Sequence, residues 1–151
     1  MLKRAERGGE SSDIWAVVPV KPFAAAKRRL APALDAASRA YLAQLMLEDV
    51  LDALARCEAH LAGVVVVTSD AKATALAARC NAVVVPDQGH ADLNGAIRLG
   101  ADWVTDRGGG GILVVPSDVP QLAPNDIVAA VEAIATSGSL AVLGASEDGG
   151  T

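Results

Sequence analysis

Short apolar runs recur along the chain at residues 14–20, 63–68, 82–85, 111–116 and 140–143, each rich in Val, Ile or Leu with little alternation. A strand solvated on one face alternates apolar with polar residues, whereas a strand covered on both faces reads as a continuous apolar stretch. These five runs are therefore expected to be interior strands of a sheet sandwiched between helices. The longer segments between them carry helical periodicity. A helix is expected from a cap at Asp35 to about Ala59, with Leu42, Leu45, Met46, Val50 and Leu54 on one face. Asp70 suits the cap of a second helix through Leu76 and Arg79, and a third follows Asp92 through Ile97 to about Val104. Pro124 fits the first turn of a fourth, through Ile127, Val131 and Ile134. The one low-complexity piece, residues 108–111, reads as a flexible turn into a strand.

Strands alternating with helices imply right-handed βαβ crossovers and a mainly parallel sheet. The expected fold is a three-layer, Rossmann-like α/β domain of the nucleotide-binding kind over residues 14–151. Residues 1–13 are polar, contain Lys3, Arg4 and Arg7, and are expected to be a disordered lead-in. Composition agrees with this layout. The 151 residues are 52% hydrophobic but only 3% aromatic, as suits Val-rich strands under Ala- and Leu-rich helices. A net charge of −5 gives no electrostatic support for nucleic-acid binding. The lead-in lacks the apolar core of a signal peptide, and no apolar run approaches the roughly 20 residues that cross a bilayer. A cytoplasmic protein with no membrane partner is expected, and a homo-oligomer is left open. Cys57 and Cys80, far apart in sequence, are expected to be free, half-buried thiols.

Against the negative net charge, one segment is locally cationic. The first strand hands over directly to Lys21-Pro22-Phe23-Ala24-Ala25-Ala26-Lys27-Arg28-Arg29-Leu30. It is neither a Walker-type loop nor a Gly-x-Gly-x-x-Gly fingerprint. Cations at the carboxyl end of a strand lie where open α/β sheets keep their ligand crevice, and they suit phosphoryl oxygens. Lys27 and Arg29, on alternate positions, would point the same way in an extended stretch. A solvated basic turn is the competing reading. In Val114-Val115-Pro116-Ser117-Asp118-Val119-Pro120, an apolar strand ends in a carboxylate fenced by prolines. Asp118 there is either a turn residue or a ligand for a divalent ion carried by phosphates. The polar segment 87–96 enters a helix start that favours an anion, although Asp92 is equally a cap. His90 reads as an exposed loop residue and His60 as a residue at a helix end. The chain closes on Glu147-Asp148-Gly149-Gly150-Thr151, whose glycines permit backbone amides to crowd a ligand.

Taken in order, these segments resemble the 2-phospho-L-lactate guanylyltransferase family of coenzyme F420 biosynthesis. The matching pieces are Val18-Pro19-Val20-Lys21-Pro22, Ala26-Lys27-Arg28-Arg29-Leu30-Ala31-Pro32, Met46-Leu47-Glu48-Asp49-Val50-Leu51, Asp92-Leu93-Asn94, Val115-Pro116-Ser117-Asp118-Val119-Pro120 and Asp148-Gly149-Gly150-Thr151. The resemblance implies a fold like the nucleotide-diphospho-sugar transferases. It also implies transfer of GMP from GTP to 2-phospho-L-lactate, phosphoenolpyruvate or 3-phospho-D-glycerate, with release of pyrophosphate. By the same resemblance Asp118 would be a catalytic Mg²⁺ ligand, and Lys21, Lys27 and Arg29 would line the triphosphate. Asn94 would lie near the nucleoside, and Gly149, Gly150 and Thr151 would contact the acid. Two other readings stand beside it: a non-catalytic nucleotide- or phosphometabolite-binding module, and another nucleotidyltransferase of the same fold. The family pattern continues past Thr151 into a substrate loop and a further acidic segment, so the domain is expected to be truncated. Ala123 stands before Pro124 where a hydroxyl cap is more usual.

Overall fold

A computed structural model describes residues 12–88, 92–119 and 121–137. Four strands form one parallel sheet: β1 (Ile14–Pro19), β2 (Gly63–Val67), β3 (Val83–Val85) and β4 (Gly111–Val114), in the order β3-β2-β1-β4. They alternate with α1 (Ala36–Ala55), α2 (Ala71–Arg79), α3 (Leu93–Thr105) and α4 (Pro124–Ser137). Register pairs Trp15 with Gly63 and Pro19 with Val67 on one side of β1, and Ile14 with Gly111 on the other. The ladder runs slightly past the strand ends. Val20 N–H donates to Val67 O at 2.9 Å, Thr68 N–H to Val85 O at 3.0 Å, and Val115 N–H to Val17 O at 2.9 Å. The expected strands therefore hold to within a residue or two. The fifth, at 140–143, lies outside the described residues.

Why the valine runs barely alternate is visible in the packing. Ile14, Ala16, Val18 and Val66 face a core built with α1, α2 and α4. Val17, Val65 and Val67 face the opposite way, into a second core under α3. Each strand needs apolar side chains on both faces, which gives the three layers expected. Gly100 lets α3 approach closely: a Cβ there would lie 3.2 Å from Val67 Cγ2 and nearer still to Val17. Farther along the helix Trp103 meets Trp15 edge-on, ring centroids 5.2 Å apart, and the Arg107 guanidinium stacks over the Trp103 ring.

Asp35, Asp70 and Asp92 all cap as expected. Their carboxylates accept from Ser38 N–H, from Lys72 and Ala73 N–H, and from Gly95 N–H. At α4, Ala123 has no hydroxyl, and the backbone is satisfied from the other direction. Asp126, three residues on, accepts from Ala123 N–H at 3.1 Å, half of a capping box.

Several expectations need correcting. Helix α1 stops at Ala55 and a separate 3₁₀ turn (Glu58–His60) follows, where the chain turns back so that Ala62 N–H reaches Ile14 O and β2 begins at Gly63. The buried stripe of α1 is Leu47, Val50, Leu51 and Leu54. Leu45 is exposed, and Leu42 and Met46 are only partly covered. Ser12 and Asp13 belong to the folded body rather than to a lead-in: Ile14 N–H donates to the Ser12 hydroxyl and Gly110 N–H to Asp13 O. The glycine run is not a loose turn either. Gly108, at φ 75°, ends α3, with its N–H on Thr105 O and Gly109 N–H on Val104 O, a Schellman closure that needs a left-handed residue. Both cysteines are free, but Cys57 is fully buried and only Cys80 is half-buried; burial pushes both thiols up. Among the described residues no helix is long and apolar enough to cross a membrane.

Candidate active site at the carboxyl ends of β1 and β4

Helices α1 and α2 cover one face of the sheet and α3 the other, so chain direction reverses across the sheet at the boundary between β1 and β4. In open α/β sheets a ligand crevice lies outside the carboxyl ends of the strands at such a point. A cavity of about 360 Å³ sits there, lined by the end of β1, the cationic loop, Leu93 at the start of α3, and Pro116, Ser117 and Asp118 after β4.

The cationic loop is anchored rather than loose. Lys21 and Pro22 are exposed, and then the Phe23 ring drops into the core. A 3₁₀ turn follows (Phe23–Ala25), closed by Ala25 N–H on Pro22 O and Ala26 N–H on Phe23 O. The Phe23 N–H itself donates 3.0 Å to Asp70 Oδ2, across the ends of β1 and β2. Lys27 then adopts φ 53°, ψ 38°, the left-handed region, which costs a non-glycine residue roughly 1–2 kcal/mol. A second 3₁₀ turn (Arg28–Leu30) starts from the Lys27 carbonyl.

That backbone turn aims the lysine across the cavity mouth. Lys27 Nζ lies 2.8 Å from Asp118 Oδ2, joining residues 91 apart in sequence. The lysine side chain is 23% exposed and the aspartate 54%. Lys21 lines the same mouth. Lys21, Lys27 and Asp118 are thus brought together at one cavity mouth. Arg29 is not: the segment is not extended, so the alternation argument fails, and Arg29 is exposed and outside the lining. Asn94 is exposed on the first turn of α3, next to Leu93, which does line the cavity. Asp92 is occupied as the α3 cap. Asp87, at the end of β3, is buried and accepts from the Ser69 hydroxyl. His90, Gly149, Gly150 and Thr151 lie outside the described residues, and His60 is exposed in its 3₁₀ turn.

Among the described residues no three His, Cys, Asp or Glu side chains cluster as a ready-made metal cage. A lone, half-exposed carboxylate facing a cation-lined mouth instead suits Mg²⁺, which usually takes one or two protein carboxylates and draws its other ligands from phosphates and water.

Residues 14–151 match the family described as guanylyl transferase CofC like. The chain belongs to this family. Similar relatives include a phosphoenolpyruvate guanylyltransferase of Roseiflexus castenholzii, 43% identical over 116 residues that make up 77% of this chain and 53% of the relative. A 2-phospho-L-lactate guanylyltransferase of Methanothermobacter thermautotrophicus is 34% identical over 115 residues, 74% of this chain and 48% of the relative. The CofC-like chain thus spans about half the length of the curated relatives it matches. Its fold is also that of a solved structure from Desulfovibrio desulfuricans described as a nucleotide-diphospho-sugar transferase. The TM-score is 0.66 at 19% identity, over 83% of this chain and 55% of that one.

The sequence marks Asp70 as the α2 cap but not as the partner of the Phe23 N–H in the cationic loop. The only available signal was its position at the carboxyl end of β2, on the crevice side.

Proposed function

We propose that this chain is a guanylyltransferase of coenzyme F420 biosynthesis. It joins GMP from GTP to a phosphorylated three-carbon acid, which is 2-phospho-L-lactate, phosphoenolpyruvate or 3-phospho-D-glycerate. One observation carries the reading: Lys27 and Asp118 meet at 2.8 Å at the mouth of a cavity also lined by Lys21. Cation and carboxylate side by side match a metal–triphosphate, whose oxygens need positive side chains and whose metal needs a negative one.

In the reaction a phosphate oxygen of the acid attacks the α-phosphorus of GTP, the α–β bridge breaks, and pyrophosphate leaves with the bonding electrons. The attacking oxygen is already anionic at neutral pH, so no strong general base is required, and none of the described residues lining the cavity is a histidine. The chain's task is positioning and charge neutralisation. Lys21 and Lys27 hold the β- and γ-phosphates, and Arg29, outside the lining, adds field rather than contact. Asp118 holds Mg²⁺, which when bound supplies neutralisation of the phosphate oxygens. Asn94 serves the nucleoside end, and Gly149, Gly150 and Thr151 serve the acid, on the family resemblance.

The test is release of pyrophosphate from Mg²⁺–GTP with each phospho-acid in turn. Turnover with one acid supports guanylyl transfer. Binding of Mg²⁺–GTP without turnover supports a binding module, and turnover only with a sugar phosphate supports another transferase of the fold.

A further inference from the structure

Asp70 makes two sets of bonds with its two oxygens. Oδ1 accepts from Lys72 N–H at 2.8 Å and from Ala73 N–H at 3.0 Å, capping α2. Oδ2 accepts from Phe23 N–H at 3.0 Å, 47 residues away. The carboxylate is itself held in place: Asp70 N–H donates to the Thr68 hydroxyl, and Thr68 is buried at the end of β2. Phe23 is where the cationic loop is pinned, since its ring is buried and its carbonyl closes the turn that leads to Lys27. Without Oδ2 that N–H loses its partner, and the loop keeps the buried ring, its packing on α1 and the exposed Lys27–Asp118 pair as anchors.

We propose that Asp70 is a positioning residue for nucleotide binding. Its second oxygen fixes the backbone at Phe23, and through it the approach of Lys21 and Lys27 to the cavity mouth. The inference rests on the guanylyl-transfer reading for what the loop binds, but the tie itself is independent of it. Asp70 is a negative charge beside a site for a polyanion, so charge alone makes its removal favourable to triphosphate. Loss of position acts the other way.

The decisive substitution is Asp70→Asn. Asparagine is as good an N-cap as aspartate, so its oxygen keeps the α2 bonds. Its other group is NH₂, a donor facing the Phe23 N–H donor, so that bond must break. Two readouts are needed, with the thermal midpoint as control. Amide hydrogen exchange should show the Phe23 N–H exchanging at least about 10-fold faster while the α2 amides keep their protection. Calorimetric titration with Mg²⁺ and a GTP analogue with an uncleavable α–β bridge should show roughly 10-fold weaker binding, with the midpoint lowered by only the few degrees that one lost hydrogen bond implies. Asn81→Ala, which strains the left-handed close of α2 at the end of that helix away from Asp70, should lower the midpoint and leave the affinity alone. Unchanged exchange at Phe23, or affinity that is unchanged or tighter in Asp70→Asn, overturns the positioning role. Failure of the unaltered protein to bind Mg²⁺–GTP overturns the guanylyl-transfer reading and the role with it, and the exchange result then still reports whether the tie exists.

Discussion

Separating the Lys27–Asp118 pair as a strut from the same pair as a site calls for a double-mutant cycle: Lys27→Met, Asp118→Asn, and both together. At 2.8 Å two unit charges attract by about 1.5 kcal/mol in a water-like dielectric. Aspartate is 54% exposed here, and ordering the long lysine side chain offsets much of that attraction. Pairs of this kind contribute about 0.2–1 kcal/mol. Each single substitution should therefore lower stability by no more than about 1 kcal/mol, a midpoint shift of about 2–4 °C at this chain length. Transition-state stabilisation is on another scale: losing one positioned charge or donor reduces turnover by ~10²–10³. The expected result is near-normal unfolding in urea for all three variants, with Mg²⁺-dependent pyrophosphate release lost in Asp118→Asn and strongly reduced in Lys27→Met. A coupling energy above about 2 kcal/mol with turnover largely retained would refute the reasoning and make the pair a structural tie.

Gly100→Ala places a methyl against Val17 and Val67 and should destabilise by about 1–3 kcal/mol, with a change in the near-ultraviolet signal of the Trp15–Trp103 contact. Asn81, left-handed at φ 55° where α2 closes through Ala82 N–H on Ala77 O, should lose about 1 kcal/mol on change to Ala and almost nothing on change to Gly; urea melts of both variants check this. The Ser38 N–H bond holds the Asp35 carboxyl below its usual range. Its ionised form is thus favoured in the fold, and its stabilisation is present above about pH 4 and lost as pH falls through the depressed value. Asp35→Asn keeps an acceptor at the cap but removes that titration, so its stability should fall less steeply on acidification than that of the parent.

What could be read from the residues, and what could not, follows from how local each determinant is. Valine runs and capping aspartates announce strands and helix starts within a few positions, so the four described strands and the helix starts were legible. The end of α1 was not, because Arg56, Cys57, Glu58 and Ala59 include no Gly or Pro; the helix stops where the chain turns back to pair Ala62 N–H with Ile14 O, a tertiary cause. The face of α1 was misjudged for the same reason, since Leu42, Leu45 and Leu47 are equally apolar and only packing against the sheet chooses among them. Asp118 and Lys27 were legible as chemistry at strand ends. The left-handed turn at Lys27 was not, because a lysine gives no advance sign of positive φ, and that turn is what separates Lys27 from Arg29. Asp70's second bond spans 47 residues and leaves no mark in a local pattern.

The order β3-β2-β1-β4 also bears on how the protein is made. The amino-terminal strand lies in the interior, and one of its two neighbours is the last of the four to be synthesised. On the ribosome β1 and the loop after it emerge early but stay half-paired until β4 is released. Long-range parallel pairing of this kind is slow and leaves apolar edges open meanwhile. Nascent chains halted before Gly111 should therefore be chaperone clients, with the lysine-bearing loop displayed but nothing opposite it to complete a phosphate grip.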